Sequence, residues 1–192
     1  MSDKFAGDQV LRDFNQMGIL VKDCVEAAKQ WAEVFGAGPF IISRHIQIEN
    51  LKYKGKQTTW DQDSAIGQWG PIQIELLQTN DDSPAVHYET PQVGGKLHHV
   101  NWVADDLDAE TKRLEDLGYP MVWECTCQPG NMRIRWFDAE KLLGCLIEVY
   151  ESNEFIEQTY DSIRMLHEDW DGESAIAYVY DCRTNQIVDE KL

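Results

Sequence analysis

Lys96 to Tyr119 reads KLHHVNWVADDLDAETKRLEDLGY: two adjacent histidines open an apolar run that gives way to a helical pattern. Gln16 to Phe40, QMGILVKDCVEAAKQWAEVFGAGPF, follows the same plan near the start of the chain. In the later copy LHHVNWVA is a strand and Asp105 or Asp106 caps a helix. Leu107, Leu114 and Leu117 form its buried stripe, and Gly118 ends it. In the earlier copy FNQMGILV is the strand, Asp23 the cap, Val25, Ala28, Ala32 and Phe35 the stripe, and Gly36 the stop.

Three strand-like stretches follow each helix. FIISRHIQIE, KQTTWDQDSAI and PIQIELLQ come after the first, separated by NLKYKG and GQWG; YPMVWECTC, MRIRWFDA and LGCLIEVYE come after the second. The plan is β-α-β-β-β twice, an α+β chain with one module over residues 12–78, a polar connector over 79–96 and a second module over 97–151. At about 65 residues a module has too little interior to stand comfortably alone, so two packed side by side are the stable arrangement. Residues 152–192 form an extension. Ile156, Tyr160, Ile163, Leu166 and Trp170 fall at helical offsets there, AYVYDCRTNQIVD suggests a hairpin or strap, and its role reads as packing.

Composition narrows the partners. Seventeen basic residues against 34 acidic ones leave a net charge of −17 over 192 residues, which repels nucleic-acid phosphates and anionic membrane surfaces. No apolar run approaches the roughly 20 residues that span a bilayer, and the N-terminus lacks a signal-peptide pattern. Five cysteines, Cys24, Cys125, Cys127, Cys145 and Cys182, carry no C-x-x-C pair or zinc-site spacing and read as reduced thiols in a cytoplasmic protein. A small molecule is the expected partner.

Candidate chemistry follows from strand parity. Successive strand residues face opposite sides, so His98 and His99 are expected to point apart, one into the cleft and one away from it. Matching the helix-ending glycines, Gly36 to Gly118, gives a shift of 82 and pairs Gln16 with His98; matching strand heads to the caps gives 83 and pairs Gln16 with His99. The last strand of each half carries an acid among apolar neighbours, Glu75 in QIELL and Glu148 in LIEVY, and a carboxylate there is costly to bury without a counter-charge. His45 and His87 have no such context and read as surface residues.

Through QMGILVKD, the AAKQWAEVFGAGP helix end, IELL, LHHVNWVADD and LGCLIEVYE, residues 14–151 resemble the vicinal oxygen chelate superfamily, which includes glyoxalase I, methylmalonyl-CoA epimerase, extradiol dioxygenases and bleomycin resistance proteins. The resemblance implies two βαβββ modules whose paired U-shaped sheets surround a central cleft, one divalent metal ion (zinc, nickel, cobalt, manganese or magnesium) and frequent pairing into a homodimer. It selects His99 over His98 and carries over Gln16, Glu75, His99 and Glu148 as metal ligands. A Gln, Glu, His, Glu set is similar to that of eukaryotic glyoxalase I. Arginines that hold glutathione in such relatives are replaced by Leu20 and Gly95, so glutathione is not the expected substrate.

The activity so implied is that of a lyase or isomerase that removes a proton next to a carbonyl and stabilises the enediolate, with Glu148 as base and Glu75 second. Asn101, Gln73 and Tyr150 share a face with these residues by parity and are candidate substrate contacts, as is Trp60. Trp60, Trp123 and Trp136 make the cleft apolar if they face inward and then favour a rather apolar, aromatic or polycyclic substrate. The extra glutamate of the epimerases has Asp61 as its nearest candidate here. Two alternatives use the same fold: a metal-free binding or resistance protein, and an extradiol-type dioxygenase. The second needs two histidines and one carboxylate, and Gln16 stands where the first histidine belongs.

Overall fold

The computed structural model describes residues 13–81 and 95–188; His87 lies outside them. Strand β1 (Gln16–Leu20) leads into helix α1 (Cys24–Phe35), where the Asp23 carboxylate accepts from the backbone N–H groups of Val25 and Glu26. Strand β7 (Lys96–Ala104) leads into α2 (Leu107–Asp116), and of the two candidate caps Asp106 does the work, accepting from Asp108 and Ala109. Both apolar stripes end sooner than their periodicity suggests. Phe35 is 50% exposed at the last turn of α1, and Leu117, expected inside, is 61% exposed because α2 stops at Asp116 and the chain turns outward.

After α1 come β2 (Phe40–Arg44), β3 (Gln47–Tyr53), the short β4 (Lys56–Gln57), β5 (Gln62–Trp69) and β6 (Ile72–Thr79). After α2 come β8 (Met121–Gln128), β9 (Met132–Asp138), the short α3 (Glu140–Leu143) and β10 (Leu146–Glu151). FIISRHIQIE, expected as one strand, is two. The chain breaks at His45, whose φ of 51° is left-handed, and β3 crosses to pair antiparallel with β8 of the other half. The strand expected over KQTTWDQDSAI is split, with Lys56–Gln57 in β4 and β5 starting at Gln62.

Two four-stranded halves, β2-β5-β6-β1 and β7-β10-β9-β8, join through the antiparallel β1–β7 pair into one continuous sheet. The register settles the ambiguity of the repeat. Gln16 faces Asn101 and Gly18 faces His99 across β1–β7, while Gly18 aligns with Glu75 on β6 and Asn101 with Glu148 on β10. A shift of 83 residues, the separation of Gln16 and His99, maps the β1–β7 pairs onto each other, carries Gly18, the partner of Glu75, to Asn101, the partner of Glu148, and carries cap Asp23 to cap Asp106. The competing shift of 82 comes from matching Gly36, the C-cap of α1, with Gly118, which lies one residue beyond the C-cap Leu117 of the shorter α2.

Each helix covers an outer apolar layer: Val25, Ala28, Phe40 and Ile74 with α1, and Leu107, Leu114, Phe137 and Val149 with α2. A third core, including Leu20, Trp60, Leu77, Trp123, Trp136 and Tyr150, fills the inner face. Both free edges of the double module are covered by other segments, β8 by β3 and β2 by β11 (Ile176–Asp181), which pairs parallel with it and hairpins into β12 (Gln186–Val188). Helix α4 (Glu154–Glu168) precedes that hairpin and buries Ile156 and Ile163. No described helix is long and apolar enough to cross a membrane. All five cysteines are buried free thiols; Cys125 and Cys127 share a face with their Sγ atoms 3.8 Å apart.

Candidate metal centre

Four central strands deliver the polar cluster. Residues two apart on a strand share a face, so Gln16 with Gly18, Gln73 with Glu75, His99 with Asn101, and Glu148 with Tyr150 all look inward from adjacent rungs. Three oxygens converge on one nitrogen: His99 Nε2 lies 3.1 Å from Glu148 Oε2, 3.5 Å from Glu75 Oε2 and 3.3 Å from Gln16 Oε1. All four residues are buried. Gly18 makes room for them, since a Cβ there would lie 2.1 Å from His99 Cε1; the imidazole occupies the space that any other residue would fill.

The two histidines do not point apart. Register shifts between Gly18 and Ile19, so that Gly18 faces His99 but Ile19 faces Leu97, leaving His98 as the extra residue of a β-bulge. A bulge cancels the parity rule locally, and both rings turn inward. His98 is 3% exposed, and its Nδ1 lies 2.9 Å from His99 Nδ1. If His99 offers Nε2 to a cation, its proton must sit on Nδ1, where His98 Nδ1 accepts it; the second histidine thus orients the first.

The residues expected to touch substrate divide into two kinds. Asn101 donates to Glu148 Oε2 at 3.0 Å and Gln73 accepts from the Gln16 side-chain amide, so both orient the acids and amide of the cluster. Tyr150 and Trp60 line the adjoining cavity, Trp60 with its Nε1 donating to Thr79 Oγ1 at 3.2 Å. Trp136 lines it too, and Trp123 is buried in the same inner core. Asp61 does not reach the cavity; it binds His45 Nδ1 at 2.8 Å and Arg183 at 3.1 Å. The extension does more than pack, because Tyr160 on α4 donates to Asn101 Oδ1 at 2.9 Å and so holds the amide that holds Glu148. His98 and Tyr160 escaped sequence reasoning for different reasons: one needed a bulge, the other a contact across 59 residues.

Burial raises Glu75 to about 7. Burial and the neighbouring Glu75 charge hold Glu148 well above the usual carboxylate range. Burial also depresses His98 to about 4 and His99 well below the ordinary imidazole value, so both rings are neutral. No lysine or arginine is among the described residues lining the cavity. One nitrogen and three oxygens, two of them carboxylates without a counter-charge, form a donor set suited to a divalent cation. A second cluster, His45 with Asp61 and Asp63, differs: Arg44 already pairs with Asp63 at 2.9 Å and Arg183 with Asp61.

Beside the acids lies a cavity of about 90 Å³, walled by Ile46, Ile48, Ile66, Leu77, Met132 and Ile134 and by the polar groups of Gln62, His98, Cys127 and Trp136.

Solved structures with this architecture include methylmalonyl-CoA epimerase from Mycobacterium tuberculosis, with a TM-score of 0.53 and 21% identity, covering 81% of this chain and 97% of that one. A hypothetical protein from Bacillus halodurans C-125 gives a TM-score of 0.54 at 15% identity, covering 76% and 97%. A methylmalonyl-CoA epimerase in complex with methylmalonyl-CoA and NH4+ gives 0.50 at 17%, covering 76% and 97%. At such identities the likeness establishes the fold. No curated protein sequence matches the chain. The family profile described as Glyoxalase/Bleomycin resistance protein/Dioxygenase superfamily matches residues 15–134, and with that match spanning more than half of the sequence, the chain belongs to this superfamily.

Proposed function

We propose that this protein is a divalent-metal-dependent isomerase or lyase that removes a proton next to a carbonyl group. One observation carries the reading: Gln16, Glu75, His99 and Glu148 come from four strands to one buried point. A divalent cation held there supplies Lewis-acid stabilisation of the enediolate charge, a contribution of several kcal/mol. Glu148 is the proposed base, because Asn101 fixes one of its oxygens beside His99 at the proposed metal position. Glu148 then returns the proton it took, and Glu75, which approaches His99 from β6, is the second candidate for the base. The isoleucine-rich wall keeps water from the carbanionic carbon.

Dioxygenase chemistry is disfavoured. Gln16 occupies the symmetry mate of His99, and the second imidazole, His98, is turned to His99 Nδ1. A metal-free binding protein would have no use for two buried acids without a counter-charge.

The test is to strip the protein with chelator, reload it with Mg2+, Mn2+, Co2+, Ni2+ or Zn2+, and follow deuterium exchange from solvent into small α-hydroxycarbonyl compounds by NMR. Exchange is expected only in loaded protein and is lost in Glu148→Gln. Equal exchange in stripped and reloaded protein would overturn the reading.

A further inference from the structure

Two groups in the cavity wall have no role in the proton transfer and no partner. Gln62 Oε1 and Trp136 Nε1 are buried without a hydrogen bond among the described residues, in side chains 7% and 6% exposed, and both residues line the cavity beside Glu75, His99 and Glu148. An unpaired buried polar atom costs about 1–3 kcal/mol, so a native fold rarely keeps two in one small space unless something binds them. Their placement is specific. Trp136 is the β9 register partner of Glu148, so the two rise from neighbouring rungs, and Gln62 opens β5, in the other half of the sheet. One offers a donor and the other an acceptor.

The volume limits what they bind. A cavity of about 150 Å³ holds benzene; one of about 90 Å³ has room for fewer atoms. The other wall residues are chiefly Ile46, Ile48, Ile66, Leu77, Met132 and Ile134, which offer nothing to a charged carrier.

We infer that Gln62 and Trp136 select the substrate, which is a free hydroxycarbonyl compound of about three to four carbons bearing a third oxygen beyond the two flanking the reacting carbon. That extra oxygen accepts from Trp136 Nε1–H, and a hydroxyl of the compound donates to Gln62 Oε1. A coenzyme A or glutathione carrier finds no cationic partner among the described residues lining the cavity, and the net charge of −17 opposes the polyanionic coenzyme A as well. The inference rests on the function proposed above and narrows it to a substrate class.

The experiment uses the full chain loaded with Co2+, whose visible absorption reports changes at the metal. Dihydroxyacetone, with three oxygens, is compared with hydroxyacetone, with two, and with methylmalonyl-CoA and S-lactoylglutathione. Dihydroxyacetone is expected to saturate the spectral change about tenfold more tightly than hydroxyacetone, the worth of one buried hydrogen bond, and the thioesters to leave the spectrum unchanged. Trp136→Phe is expected to remove most of that difference and Gln62→Met to weaken both compounds several-fold, while cobalt uptake stays the same in each. Saturable binding of either thioester overturns the inference, as does unchanged dihydroxyacetone affinity in both variants. Cobalt uptake without any dihydroxyacetone response overturns it alone; no cobalt uptake overturns the proposed function together with it.

Discussion

The two modules occupy equivalent places in the sheet yet do different work. Gln16 and His99 are symmetry mates, as are Glu75 and Glu148, so the duplicated fold brings two equivalent pairs to one point. The second module then surrounds its pair with groups that orient them: His98 behind His99, Asn101 on Glu148, and Tyr160 of α4 on Asn101. The first module supplies a neutral amide steadied by Gln73, and a glycine that yields its space to the second module's imidazole. Duplication explains where the groups are, and divergence explains which of them is held rigidly. The rigid set belongs to the half that carries the only ring nitrogen among the four.

The comparison is open to direct attack. The largest effect is expected from His99→Ala, which should abolish metal uptake at micromolar concentrations, whereas its symmetry mate Gln16→Ala should only weaken uptake. Calorimetric titration with Co2+ or Mn2+ decides, and equal losses would remove the asymmetry. Next, His98→Leu should weaken metal affinity by about 10–100-fold, the usual cost of losing a group that orients a ligating imidazole. An unchanged affinity would reduce the bulge to a packing detail. Gly18→Ala should destabilise the folded protein by about 1–3 kcal/mol through overpacking against the His99 ring, read as a lower midpoint in urea, and should also lower metal stoichiometry. Smallest is Tyr160→Phe. Removing one hydroxyl from a hydrogen bond worth about 1 kcal/mol should weaken metal binding only a few-fold, while Ile163→Val on the same helix leaves metal affinity unchanged. A similar loss in both variants would mean that α4 acts by packing alone.

Much of the architecture was legible because it depends on local pattern. Caps at Asp23 and Asp106, the helix stop at Gly36 and the acids in QIELL and LIEVY all stand where short-range chemistry puts them. Where the pattern misled, a long-range pairing had overridden it. FIISRHIQIE has the composition of one strand, but the turn at His45 sends its second half to the far edge of the other module. Leu117 keeps helical spacing but lies beyond the helix end. LHHVNWVA alternates as a strand should, and only its register against β1 reveals that one residue is extra. Asn101 and Gln73 share the inner face as parity expects, and only the structure shows that their side chains are engaged by the acid and amide beside them.

By itself the sequence determined a twofold βαβββ plan, the acidic surface, and the residue types available to the inner face, because periodicity, capping and charge are properties of neighbours along the chain. Tertiary structure alone decided that the shift is 83 and not 82, that both histidines turn inward, that Gly18 must lack a side chain, and that a helix after the second module steadies Glu148 through Asn101. Those outcomes depend on which strands lie side by side and in what register, and register is set by the packing of the whole sheet.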